Sequence, residues 1–326
     1  MSFFQRIVYK VDPVSKVREV VGEFEYPAVV NMSLCGEPGV RYPDPEARLR
    51  QMHSLQTTQR YVILAENNYM YDPCSSLNND PSLPHYIRTH SFEPDVNGRV
   101  IIMDKNGTVA GVITDIPPMF ITHVLGSYED NDTNKLHFDV LQYDDATPYE
   151  YWTNTDVIAS GEPHPANFTQ VTRYTVDMDT WSLVTRKNLA TGFDNSDFEF
   201  SNINPNYYTR PYKYAYMIQN VFSLHGAVVK LNVDDGTHVI RELPDGMFPT
   251  EPIFVAAPDA TAEDDGVILM SGVDGANEKG YIMIFNATDM EIIYHGTAPK
   301  MSLLGLHSKF FPFSVGCSQD DCTLGV

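Results

Sequence analysis

Long apolar runs are missing from this chain. The longest, such as Tyr281 to Phe285, fall far short of the ~20 residues that cross a bilayer. Residues 1–20 alternate like a strand, are interrupted at Asp12-Pro13, and show no signal-peptide apolar block. The expectation is a cytoplasmic chain, with at most peripheral apolar contact with a membrane. Cysteine is scarce: Cys35, Cys74, Cys317 and Cys322 are too scattered for a disulfide-dense scaffold or a thiolate metal site. Basic residues are few, 22 against 43 acidic, leaving a net charge of -21 with no basic tract. A phosphate backbone would be repelled, which excludes nucleic acid as a partner, and electrostatic attraction to anionic lipid is excluded with it. Helical signals are scarce too. Only Pro43 to Met52, with Asp44 and Glu46 near its start and Arg48 and Arg50 toward its end, predicts a short helix.

What is present is an all-β rhythm. With 43% hydrophobic and 20% charged residues, 326 residues can build a substantial core. Glycine and proline recur every ten residues or so, between short segments rich in Val, Ile, Tyr and Phe. The clearest hairpin pairs Arg99–Asp104 with Thr108–Thr114 around Lys105-Asn106-Gly107, where Asn-Gly supplies the positive φ of a tight turn. Further strands are expected at Lys213–Gln219, Ala227–Asn232, His238–Glu242, Gly266–Met270, Tyr281–Phe285 and Glu291–His295. The proline-rich stretches Asn67–Asp95 and Asp144–Phe168 read as loops of the lid or binding-wall kind within one domain spanning 1–326. No internal repeat has a usable signature. The pattern suits a propeller or a sandwich, with four or five sheet units, fewer than a closed seven-bladed ring needs.

Histidine carries the chemical information. No His-Glu-x-x-His motif groups the ten histidines, yet neutral imidazole suits first-row metals, and a ring of sheets can bring distant residues onto one axis. His53 stands just ahead of the strand Val62–Glu66, His123 lies between an apolar strand and a polar turn, and His307 follows Leu303-Leu304-Gly305-Leu306. Each alone is more often a solvent-facing or core histidine than a ligand.

Their surroundings resemble the carotenoid cleavage oxygenases. His53-Ser54-Leu55-Gln56-Thr57-Thr58-Gln59-Arg60-Tyr61 is similar to the family's His-Ser-Phe-Gly-x-Thr-x-x-Tyr, and the segments around His123 and His307 are similar to Phe-His-x-x-Asn-Ala-Tyr-Glu and Gly-Phe-His-Gly. Phe198-Glu199-Phe200, Pro211–Tyr216 and Glu251-Pro252-Ile253-Phe254-Val255 extend the likeness in the family's order. The resemblance implies a seven-bladed β-propeller and a non-haem Fe(II) dioxygenase that uses O2 to cleave a carbon-carbon double bond of a carotenoid, apocarotenoid or retinoid substrate. It further implies iron ligation by His53, His123 and His307, with Glu199 orienting His123 and Glu251 orienting His307. An apolar tunnel would be walled by aromatics such as Phe120, Phe198, Tyr208, Phe254 and Phe311; the alternative for each is core packing.

The pattern is also incomplete. The family's first iron histidine and first orienting glutamate belong upstream of the His53 motif, so the propeller is expected to lack its first blades, and no histidine lies between Met1 and His53. Leu55 stands for an aromatic, Gln56 for glycine, Gly126 for asparagine, Leu306 for an aromatic and Ser308 for glycine. The rival expectation is therefore a catalytically impaired fragment or pseudoenzyme that binds lipid or protein.

Overall fold

A computed structural model describes residues 5–26, 29–36, 41–77, 89–152, 168–193, 196–221, 226–298 and 306–310. The hairpin β1 (Gln5–Val11) and β2 (Arg18–Glu25) comes first. The segments β3 (Leu49–Arg50), β4 (Gln56–Thr57), β5 (Tyr61–Glu66), β6 (Tyr69–Tyr71), β7 (His90–Phe92), β8 (Gly98–Asp104) and β9 (Val109–Ile116) then sort into a small sheet, β3-β6-β7, and a larger one, β4-β5-β8-β9. The next sheet is a meander of β10 (Phe120–Asp130), β11 (Lys135–Tyr143), β12 (Gln170–Asp177) and β13 (Ser182–Asn188), with the short helix α1 (Thr147–Trp152) between β11 and β12. A second meander follows from β14 (Phe198–Ile203), β15 (Tyr214–Gln219), β16 (Ala227–Asn232) and β17 (His238–Glu242). The last sheet contains β18 (Met247–Pro249), β19 (Ile253–Ala256), β20 (Gly266–Asp274), β21 (Lys279–Asn286) and β22 (Ile292–Ala298). Every strand pair is antiparallel, and the four larger sheets are consecutive blades of a propeller-type fold.

Burial explains why these sequences form blades. The middle strands β5 and β16 are buried at every position and β8 at all but its last, so both faces are covered and the sequence reads as continuous apolar runs such as Val100-Ile101-Ile102-Met103. The last strand of each meander, β13 and β17, is mostly exposed, as is β22. The cores therefore lie between successive sheets. Ile63, Val100 and Ile102 meet Leu136, Phe138 and Val140; Leu141 and Val171 meet Met217 and Val229; Tyr216 and Val228 meet Ile268 and Phe285.

A structural repeat escapes the sequence pattern. In the turns after β1, β8, β10, β12, β16, β20 and β21, an aspartate or asparagine accepts a backbone N–H two or three residues on: Asp12, Asp104, Asp130, Asp177, Asn232, Asp274 and Asn286. Each turn closes on a residue of positive φ: Lys16, Gly107, Asn134, Trp181, Gly236, Glu278 and Met290. Only the opening residue has a restricted identity, because the local side-chain bond does the work and the closing position tolerates several residues.

Three other expectations change. In place of a helix over Pro43–Met52 there is one 3-10 turn, Pro45–Ala47, capped by Asp44, and then β3. Arg48 and Arg50 do not face solvent at a helix end. They are buried, Arg48 bonding the Tyr42 carbonyl and Glu93, and Arg50 bonding the Asn97 carbonyl and Glu46. The loop expected at Asn67–Asp95 contains β6, a 3-10 turn and β7, because β6 pairs with β3 on one edge and with β7 on the other; α1 lies within the loop expected at Asp144–Phe168. Cys35 and Cys74 form a disulfide beside Val30, Tyr42 and Ala47, while Cys317 and Cys322 lie outside the described residues. Among the described residues no helix is long and apolar enough to cross a membrane.

The first hairpin is joined to the β4-β5-β8-β9 blade by polar and steric contact. Fully buried Glu66 on β5 accepts from Arg6 on β1 at 3.0 Å, from Arg99 on β8 at 2.6 Å and from the Tyr26 hydroxyl. Gly107, in the β8–β9 turn at φ +97°, lies so close to β2 that a Cβ would strike the Val21 carbonyl. Gly107→Ala should therefore lower stability by more than ~1 kcal/mol in urea unfolding; an unchanged midpoint would mean that the turn does not seat against β2.

Candidate metal centre

The inner ends of successive sheets bring distant residues together. His53 lies on the strand-free segment just before β4, and His123 sits on β10 where the register with β11 slips between Ile121 and Val124. Such a bulge re-aims a side chain that strict alternation would point elsewhere. Glu199 lies on β14 at another slip, between Glu199 and Asn202, and the next residue, Phe200, has φ +55°, a costly conformation for an aromatic residue. Glu251 occupies the break between β18 and β19, and His307 belongs to the short segment 306–310.

The three imidazoles form one cluster with His123 at its centre. The His53 and His123 ring centroids are 4.9 Å apart and those of His123 and His307 are 5.1 Å apart, both pairs edge-on. The Nε2 atoms of His123 and His307 face each other at 3.4 Å. A separation of 3.4 Å is short enough for both nitrogens to reach one metal at about 2.1 Å each, so this pair could be held by a shared ion. Among the described residues no set of three or more His, Cys, Asp or Glu side chains already converges as a complete metal site. What exists is a facing pair with a third ring beside it. Phe200 packs against both members of the pair, at 5.0 Å from His123 and 5.7 Å from His307.

The opposite ring nitrogens are engaged by carboxylates. His123 Nδ1 donates to Glu199 Oε2, and His307 Nδ1 lies 3.3 Å from Glu251 Oε2, which also accepts from the Ser308 amide at 3.1 Å. A proton placed on Nδ1 leaves the Nε2 lone pair free for a metal, and the carboxylate makes that nitrogen a better donor. Glu199 is buried, and burial alone would raise its pKa. The His123 charge and hydrogen bonds from His123, Thr122 Oγ1 at 2.7 Å and Tyr143 OH at 2.8 Å outweigh burial and hold it below the usual carboxylate range. Burial alone would lower the His123 pKa; Glu199 raises it above the ordinary value. His53 is exposed on one side, yet desolvation by the surrounding protein and then the nearness of His123 lower its pKa, favouring the neutral ring.

Thus His53, His123, His307, Glu199 and Glu251 come together, while the aromatic candidates disperse. Phe120 packs with Tyr69, Tyr143 and Tyr149, Phe198 with Phe193, and Phe254 with Tyr216, all inside the buried cores. Core packing accounts for these three. Half-exposed Tyr208 borders a cavity of about 300 Å³ together with Leu55, Val124, Ile203 and Glu251, and Phe311 lies outside the described residues. Sequence reasoning does not single out Thr122 or Tyr143. Thr122 sits beside a candidate ligand and could be found that way, whereas Tyr143 reaches Glu199 across 56 residues with no local signal.

Residues 10–312 match the family of the retinal pigment epithelial membrane protein. The chain is 30% identical over 257 residues to torulene dioxygenase of Fusarium fujikuroi, an alignment covering 68% of this chain and 43% of that protein. It is 26% identical to apocarotenoid-15,15'-oxygenase of Synechocystis, over 78% of this chain and 49% of the relative. Among solved structures, cobalt-substituted Synechocystis ACO superposes with a TM-score of 0.68 at 21% identity, covering 93% of this chain and 57% of that one. A chimera of ACO with the retinal pigment epithelial protein gives 0.69 at 20% identity with the same coverage. The chain thus spans about half the length of the relatives it matches.

Beside the site lies a second buried acid, Asp197, whose Oδ1 has no hydrogen-bond partner among the described residues. Burial first, and the Glu199 charge second, push its pKa up to about 7. Because the folded pKa exceeds the unfolded value of 3.8, this group's contribution to stability is full below about pH 4 and is lost as pH rises toward 7. The shift corresponds to at most roughly 4 kcal/mol. Asp197→Asn should raise the thermal midpoint at pH 8 and flatten its dependence between pH 5 and 8; a parallel pH profile in variant and parent would show that Asp197 is ionised throughout.

Proposed function

Because the chain belongs to the family of the retinal pigment epithelial membrane protein, we propose that it acts in the oxidative cleavage of carotenoids, with Fe(II) held by His53, His123 and His307. The supporting observation is the pair of facing Nε2 atoms on His123 and His307, each ring backed by a carboxylate. Iron bound there would supply dioxygen activation, so that one carbon-carbon double bond and O2 yield two carbonyl products. The residues set the conditions for that chemistry. Glu199 and Glu251 keep the Nδ1 protons in place and the Nε2 lone pairs turned inward, and neutral imidazoles leave the metal's charge undiminished for oxygen and substrate. Phe200 covers one side of the ring pair and limits water there. The cavity bordered by Leu55, Val124 and Tyr208 opens beside the ligand-bearing segments and is our candidate access route for O2 or for part of an apocarotenoid or retinoid.

A second reading, an impaired relative that keeps the fold and binds lipid or protein, is favoured by one observation: among the described residues, His53 has no carboxylate partner.

Anaerobic loading with Fe(II) followed by metal analysis and incubation with β-carotene or an apocarotenal under air separates the two. The oxygenase reading expects about one iron per chain and carbonyl products. His123→Ala should abolish retention, and Glu199→Gln should weaken it by about 10- to 100-fold. Iron without product would favour the impaired reading, and no retained iron in the parent chain would end the oxygenase proposal.

A further inference from the structure

We propose that Ser54 is the positioning residue for His53, setting with a neutral hydroxyl the tautomer and ring orientation that Glu199 and Glu251 set for the other two imidazoles. This rests on the iron-binding reading above. Ser54 Oγ lies 3.1 Å from His53 Nδ1 and 3.1 Å from the Thr122 carbonyl oxygen. A hydroxyl has one proton, and a carbonyl oxygen can only accept, so the Ser54 proton belongs to Thr122. The lone pairs left on Oγ face Nδ1, which must then be the protonated nitrogen of the neutral ring. The opposite tautomer would force Ser54 to donate to Nδ1 and leave the Thr122 carbonyl without that bond. With the proton on Nδ1, His53 offers an Nε2 lone pair as His123 and His307 do.

The hydroxyl also ties two ligand-bearing segments together. Thr122 directly precedes His123, and its own Oγ1 donates to Glu199 Oε1 at 2.7 Å. Ser54 therefore anchors the His53 segment to the network that orients His123. A neutral acceptor cannot strengthen an imidazole as a carboxylate does, since charge-assisted hydrogen bonds are about twice as strong. Its effect should be chiefly on orientation, smaller than that of Glu199.

Two measurements test this on the full chain. With histidine labelled by 15N and the His53 signals assigned by their loss in His53→Gln, imidazole NMR of the metal-free protein reads the tautomer directly. The parent chain and Ser54→Thr should show His53 protonated at Nδ1, and Ser54→Ala should shift it toward Nε2. A parent His53 protonated at Nε2, or a tautomer unmoved in Ser54→Ala, would overturn the proposal. In anaerobic Co(II) titration, Ser54→Ala should bind about tenfold more weakly than the parent, with Ser54→Thr close to the parent. Equal Co(II) affinity in parent and Ser54→Ala also overturns it. Failure of the parent to bind Co(II) would instead strike the metal-site reading, and the tautomer would still report whether Ser54 orients His53.

Discussion

A carboxylate held inside the protein, Glu199, is the constraint on which the site depends. An unpaired charge at that depth costs several kcal/mol, so the fold must bring donors to it from more than one segment. It does so with Thr122 and His123 from β10, Tyr143 from the end of β11, and its own place on β14 in the next sheet. Satisfying this one acid requires two sheets to stand at a set distance and angle. Once they do, the His123 Nε2 has little choice of direction.

The surrounding framework relies on burial that declines from the middle strands to the last strand of each sheet. Buried middle strands supply the cohesion, and the strands that open the second and third of the larger sheets, β10 and β14, carry the irregularities of the site. The register slips at His123 and Glu199 and the positive φ of Phe200 occur on inner strands. Side-chain bonds between those strands compensate for the broken ladder. Gln56 donates to the Gly126 carbonyl at 3.0 Å, Ser127 to Thr57 at 3.0 Å, and Ser201 to Val124 at 3.0 Å. Two departures from the family motifs meet here. Gln56, in place of glycine, bonds to Gly126, in place of asparagine, and the Tyr212 ring fills the space where a side chain at 126 would begin. The departures are thus packed together and are compatible with an intact local structure.

The strands are largely legible because their signals are local. Ala227–Asn232 and His238–Glu242 coincide with β16 and β17, and the Asn106-Gly107 turn closes the β8–β9 hairpin as its dipeptide demands. The region from Pro43 to Asp95 misleads for the opposite reason: β3, β6 and β7 are two or three residues long, and pairing with one another, not propensity, makes them strands. The Cys35–Cys74 bridge is equally hidden, since scarcity of cysteine says nothing about which two sulfurs meet.

Charge balance, the lack of a spanning apolar run, the alternation of short strands and turns, and the ordered motifs around His53, His123 and His307 are properties of the chain as written, and they suffice for its class and family. The tertiary structure alone decides which nitrogen faces which. The Nε2 pair of His123 and His307, Tyr143 beneath Glu199, and Ser54 between His53 and Thr122 join residues on different sheets or segments. Short-range chemistry along the chain selects strands and turns, whereas those directions arise only when separate sheets pack face to face and their irregular inner strands settle against one another.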